Sequence, residues 1–215
     1  MTRKRRYQLM CPIARALDVV GDRWSLLILR DLHAGPAGFQ ELQDGLGVAS
    51  NLLSTRLTEL TEAGVIHKLG IDGRGACALT DLGRRTDRVL WELVQLGGQL
   101  EREPDPREPG NLRTLALPLR IVLESVEVRP ALTVGLIVDG ERFTIVSTPD
   151  SVGVEYGDTA TADLVVRTDY EAVLDVAEGL MPLEDFGAHH VELIDGAEHA
   201  DVFFGLMAAA LTPER

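Results

Sequence analysis

The stretch Ala49–Thr80, ASNLLSTRLTELTEAGVIHKLGIDGRGACALT, constrains the fold more than any other. Leu53, Leu57 and Leu60 recur at intervals of four and three, the spacing of one buried helical face. Ser50 is placed to cap the helix N-terminus, and Gly64 stands where a left-handed C-terminal cap belongs. The other side offers Asn51, Ser54, Thr55, Arg56 and Thr58, which are small or polar and rich in hydrogen-bonding groups. A helix over Ser50–Ala63 is about 21 Å long, a size the DNA major groove admits. Two short strands, Val65–Leu69 and Ala76–Leu79, then flank a Gly-rich tip that carries Arg74.

Three shorter amphipathic helices precede this stretch. Pro12 opens the first, with Ile13, Ala16, Leu17 and Val20 on one side, and Gly21-Asp22 ends it. Arg23–His33 carries a wide apolar stripe of Trp24, Leu27, Ile28 and Leu32. Phe39, Leu42 and Leu46 form the inward side of the third, and Gly45-Leu46-Gly47 is the tight turn into Ala49. Two helices joined by a glycine turn, the second polar outside, follow helix-turn-helix grammar. Thr80-Asp81 caps a further long helix to about Leu100, with Val89, Leu90, Leu93, Leu96 and Leu100 along one side.

Pro104, Pro106 and Pro109 punctuate the charged segment 101–110, which places a domain boundary there: residues 1–101, then 111–215. Beyond it the period changes. Leu112–Ser125 reads as a helix that Pro118 kinks or begins. From Leu132 the pattern alternates, and Asp139-Gly140 is a type I′ hairpin dipeptide. Further strands end in a helix capped by Asp169, a short helix at 182–188, and a closing helix bearing Phe203, Leu206 and Met207. The expected architecture is a mainly α winged helix-turn-helix followed by an α+β domain, its antiparallel sheet covered by helices on one face.

Charge divides along the same boundary. The net charge is −13, yet residues 1–103 hold 14 Lys and Arg against 13 Asp and Glu, while residues 104–215 hold 7 against 21. The acidic half repels DNA; the first half need not. No apolar run approaches the ~18 residues of a membrane span. An interrupted apolar stretch after the basic Arg3–Arg6 and two lone cysteines fit a cytoplasmic protein. The tail Arg3–Arg6 can follow a DNA groove or remain solvated.

Catalytic and metal motifs find little support. His189 and His190 are adjacent and point apart on a strand, and Gly70-x-x-Gly73-x-Gly75 has no following helix to receive a phosphate. No nucleophile has a base at a meaningful spacing, so neither an enzyme, a metal nor a cofactor is expected. Arg56 is expected to meet guanine or phosphate, Asn51 adenine, and Ser54, Thr55 and Thr58 phosphates or thymine methyls. Cys11 precedes a helix whose positive end favours a thiolate, which leaves open a redox role or simple packing. Phe186, Phe203, Phe204 and Met207 concentrate near the closing helices, either as plain core or as the lining of an apolar pocket.

Cys11-Pro12, Gly21-Asp22-Arg23-Trp24, Leu27–Leu32, Phe39-x-Glu41-Leu42, Leu53-Ser54-x-Arg56-Leu57-x-x-Leu60 and Leu79-Thr80-x-x-Gly83 occur in that order. Together they resemble the HxlR family of bacterial winged helix-turn-helix regulators over about Met10–Leu100. The resemblance implies a homodimer through the first helix and the helix 81–100, with a recognition helix in the major groove of double-stranded DNA. It also implies a wing, bearing Lys68 and Arg74, along the minor groove, and a thiol sensor at the place of Cys11 in some members. The wing is short, and Cys77 stands where an aromatic is common. The order Ala162–Thr168, helix, Gly179-Leu180, short helix, Val191-x-Leu193, final helix resembles sterol-carrier-protein-type domains, which implies an enclosed site for an apolar ligand. The competing reading is a lipid-binding or protein-interaction protein whose winged helix does not read DNA.

Overall fold

A computed structural model describes residues 7–70, 75–100, 111–158 and 161–211. Contacts divide the chain into two units, Met1–Glu92 and Leu93–Arg215. The division falls inside a helix, ahead of the segment 101–110, which lies outside the described residues.

The first unit runs α1 (Pro12–Val20), α2 (Arg23–Leu32), α3 (Phe39–Leu46), α4 (Ser50–Glu62), β1 (Ile66–Lys68), β2 (Cys77–Leu79) and α5 (Asp81–Arg84), and the helix α6 (Asp87–Gly97) begins in it. Pro12 opens α1, and Asp22 caps α2 by accepting a hydrogen bond from the Trp24 amide. Ala49, not Ser50, is the N-cap of α4, so Ser50 is its first helical residue. Gly47 (φ 60°) and Gly64 (φ 71°) follow α3 and α4 in the left-handed conformation. Helix α2 packs against α1, α3, α4 and β2. Its Ile28, Leu29 and Leu32 are buried, as are Leu53, Leu57 and Leu60 of α4. Leu42 of α3 is fully buried, whereas Phe39, expected inside, is 39% exposed at the first position of its helix.

The long helix expected from Thr80 is two helices. Arg85 and Thr86 turn through short-range bonds to Leu82 and Gly83 carbonyls. The Thr86 hydroxyl donates to the Gly83 carbonyl and lies 3.0 Å from His33 Nε2, which ties the break to the end of α2. Apolar periodicity does not report such a turn.

The second unit contains a 3-10 turn (Leu112–Leu115), α7 (Ala116–Glu124), β3 (Leu132–Val138), β4 (Glu141–Ser147), β5 (Val152–Tyr156), β6 (Leu164–Thr168), α8 (Tyr170–Ala177), α9 (Leu183–His189), β7 (Glu192–Asp195), a 3-10 turn (Ala197–His199) and α10 (Ala200–Leu211). Pro118 sits in the first turn of α7, where its missing N–H costs nothing. The sheet order is β5-β4-β3-β6-β7. The α+β class is as expected, but the sheet is mixed: β3 and β6 are parallel, Val134 beside Leu164 and Val138 beside Thr168. After the β3-β4-β5 meander the chain returns to the free edge of β3, where the Asp163 amide bonds the Thr133 carbonyl. Alternation reports which face is buried and not which strand lies alongside. Val134, Val138, Phe143, Ile145, Val154, Leu164 and Val166 form the buried face, while Arg142, Val146 and Arg167 are exposed on the other. Helix α7 packs against β5, and α10 against α7.

Gly83 approaches the start of β1 so closely that a Cβ would stand 2.1 Å from the Val65 carbonyl oxygen, whereas one at Gly205 in α10 would meet nothing within 4 Å. Gly83→Ala should therefore destabilise by ~1–3 kcal/mol and Gly205→Ala stabilise by ~0.5–1 kcal/mol, in opposite directions in thermal unfolding.

Candidate nucleic-acid interface

Helix α4 has one buried side, and burial of its three leucines leaves the opposite side to solvent. Each fully buried leucine contributes about 1.5–3 kcal/mol, so which side of the helix faces the core is strongly held. The solvent side carries Ser50, Asn51, Ser54, Thr55 and Thr58, all exposed. The Thr55 hydroxyl donates to the Asn51 carbonyl at 2.8 Å, and that of Thr58 to Ser54 at 2.9 Å. With their protons committed inside the helix, both hydroxyls turn lone pairs and methyl groups outward. Asn51 Oδ1 lies 2.9 Å from the Leu52 amide and leaves its amide NH2 available as a donor. Over Ser50–Thr58 the face is polar, uncharged and small-featured, the character suited to reading base edges; one turn further on, exposed Glu62 adds a carboxylate.

Arg56 does not join that face. Its side chain is 20% exposed, with Nη1 2.7 Å from Glu59 Oε2 and Nη2 3.1 Å from Asp22 Oδ2. Arg56, expected to meet guanine or phosphate, is thus ion-paired within the protein in this structure. Arg56 is the only basic residue in α4, so the exposed side of the helix presents no cation.

Charge is supplied elsewhere. Lys68 is exposed at the end of β1 beside His67, which the sequence reading passed over although strand alternation after buried Ile66 signals it. Arg74 and the tail Arg3–Arg6 lie outside the described residues. Arg23, at the start of α2, is exposed, its guanidinium 5.6 Å from the centre of the Trp24 ring. Asp22 is the other residue missed, although an Asp directly before an apolar helix is a readable cap.

The two cysteines differ. Cys11 is the half-buried N-cap of α1 and makes no side-chain cap bond. Cys77 is buried; its backbone pairs with Ala37, N–H to O in both directions, and burial pushes its thiol pKa up, a shift that Lys68 partly opposes.

In the C-terminal unit, Val176, Gly179, Met181, Pro182, Leu183, Ala208 and Leu211 line a cleft of ≈430 Å³ among α8, α9 and α10. Phe186, Phe203, Phe204 and Met207 are not among its lining residues. Phe186 and Phe203 are buried, and Phe203 meets the Phe204 ring edge-on at 5.5 Å. Among the described residues no group of three His, Cys, Asp or Glu is placed to hold a metal ion, and no helix is long and apolar enough to cross a membrane.

The family model described as HxlR-like helix-turn-helix matches residues 19–104. The "Uncharacterized HTH-type transcriptional regulator Rv3095" of Mycobacterium tuberculosis is 34% identical over 43% of this chain, which spans 61% of that relative's length. The similarly named sll1512 of Synechocystis is 34% identical over 44% of this chain and 73% of its own. The solved structure of PA1607, a candidate transcription factor, is 40% identical over 47% of this chain and 72% of that one, with a TM-score of 0.42. TT1886, a candidate sterol carrier protein of Thermus thermophilus, is 20% identical over 43% of this chain and 73% of its own, with a TM-score of 0.30.

The two thiol environments predict selective labelling. At pH 8 a thiol reagent should modify Cys11 in the native protein and Cys77 only on unfolding, read by mass spectrometry of the labelled peptides. A raised folded-state pKa contributes stability below the ordinary thiol value of 9.0 that is lost as pH rises beyond it.

Proposed function

Because this chain belongs to the HxlR-like helix-turn-helix family, we propose that it is a sequence-specific, DNA-binding transcriptional regulator that acts as a homodimer. The observation that carries the reading is the exposed, uncharged stretch Ser50–Thr58 of α4, held outward by its buried leucines. Asn51, Ser54, Thr55 and Thr58 meet base edges in the major groove, with Ser50 at the helix start. Lys68, together with Arg74, meets backbone phosphate beside them. An α4 without a free cation binds weakly by itself, since phosphate contacts dominate affinity. Two half-sites read together supply what one cannot.

Exposed apolar side chains support the dimer. Ile13 of α1 is 70% exposed and Leu17 45%. Along α6 and the turn after it, Val89, Leu93, Leu96 and Leu100 are all exposed at spacings of four, three and four. Such surface in a soluble regulator calls for a partner, and a second copy is the one proposed.

The residues from 111 onward, acidic and of α+β fold, are proposed to take an apolar small molecule. The cleft beside α10 falls within the usual 300–1,000 Å³ of ligand sites, with mostly apolar lining. Control of DNA binding then requires that the molecule favour one of two dimer states.

Binding to operator fragments selected from genomic DNA, titrated with salt, tests the reading. Asn51→Ala should lose ~1–3 kcal/mol of discrimination between operator and unrelated duplex. Lys68→Ala should weaken both alike and reduce the salt slope by about one. A wild-type protein that binds no sequence preferentially refutes the regulator reading in favour of a lipid-binding or protein-interaction role. In sedimentation equilibrium the pair Leu93→Glu, Leu96→Glu should turn a dimer into a monomer; a wild-type monomer refutes the dimer.

A further inference from the structure

The geometry points to Arg56 as a positioning residue, a strut that sets the recognition helix against the start of α2 rather than a group that touches DNA. This rests on the reading of α4 as the recognition helix. Both terminal guanidinium nitrogens of Arg56 are engaged in ion pairs. Nη1 is held by Glu59 of the same helix, Nη2 by Asp22, and Nε is buried without a partner. Moving either terminal nitrogen onto a phosphate would give up its ion pair.

Asp22 works with both its oxygens. Oδ1 accepts the Trp24 amide at 3.0 Å and so caps α2, while Oδ2 takes Arg56 at 3.1 Å. One carboxylate therefore joins the first turn of α2 to the middle of α4. Helix packing by leucines is non-directional and leaves small rotations and slides inexpensive. A forked guanidinium bridging two carboxylates has a narrow geometric range. Arg56 lies between the buried Leu57 and the exposed Thr55. A rotation of α4 that moved Asn51 or Thr55 away from the groove would pull this pair apart. The ion pair supplies the angular precision that the leucines do not.

The test uses the full chain with Asp22→Asn, Arg56→Gln and both together. Asparagine caps a helix as well as aspartate does, so Asp22→Asn removes the charge and keeps the cap. Affinity for a selected operator and for an unrelated duplex is measured across a salt series. Asp22→Asn removes a negative charge, which by electrostatics alone strengthens binding to DNA. The strut predicts the opposite: each single variant loses at least tenfold in operator affinity, and the double loses no more than the worse single. Affinity for the unrelated duplex stays within threefold, and the salt slope is unchanged. An Asp22→Asn protein that binds operator as well as wild type, with an Arg56→Gln slope lowered by about one, overturns the strut and makes Arg56 a DNA contact. Amide hydrogen exchange without DNA decides the matter separately. Exchange over residues 50–62 should accelerate at least tenfold in each variant, and unchanged exchange overturns the proposal. If wild type prefers no DNA sequence, the regulator reading fails, and exchange alone still decides whether Arg56 holds α4.

Discussion

Burial of Leu53, Leu57 and Leu60 against the layer that contains α2 is the constraint on which the N-terminal unit depends. An amphipathic helix has one apolar stripe, and once that stripe is committed inward the opposite side is committed outward. The neighbouring details serve the same arrangement. Gly47 turns the chain into α4, Gly64 releases it into β1, and Gly83 lets α5 come against the Val65 carbonyl. Asp22 and Arg56 then tie the two helices through charge. Shape, in this unit, comes from apolar burial, and its fine setting comes from a small polar network.

The exposed side of α4 is consequently short of charge. For a regulator this separates two tasks that a basic recognition helix would combine. In the proposed reading, attraction to the backbone falls to residues outside α4, Lys68 among them, while the helix itself offers uncharged groups to the bases. The strongly acidic residues 104–215 sharpen that division, because they add repulsion that only well-placed contacts overcome. The proposed dimer would gain little from non-specific binding and depend on symmetry and complementarity for its affinity.

Much of this was readable from spacing. The leucine stripe, the glycines after α3 and α4, the Asp139-Gly140 hairpin (φ 48° and 88°) and the Asp169 cap of α8 are local signals, and local signals survive folding. What was not legible depends on contacts distant in sequence. Arg56 looked free because Asp22 is 34 residues away, although Glu59 at i+3 was visible as one partner. The parallel pairing of β6 with β3 depends on where the chain returns, which alternation does not encode. Whether Phe186, Phe203, Phe204 and Met207 are core or pocket lining was left open, because an apolar stripe on a helix looks the same whether it fills a core or borders a space; none of the four is among the lining residues of the cleft. The break between α5 and α6 lies at Thr86, whose partner His33 is 53 residues away.

Two copies of the uncharged α4 face are proposed to read DNA as a symmetric pair, and hydroxyl-radical footprinting on a selected operator tests this most directly. Two protected half-sites related by a dyad, with centres about one helical turn (~10 base pairs) or a multiple of it apart, are the expected result. A single asymmetric footprint, or protection that does not depend on sequence, would contradict it.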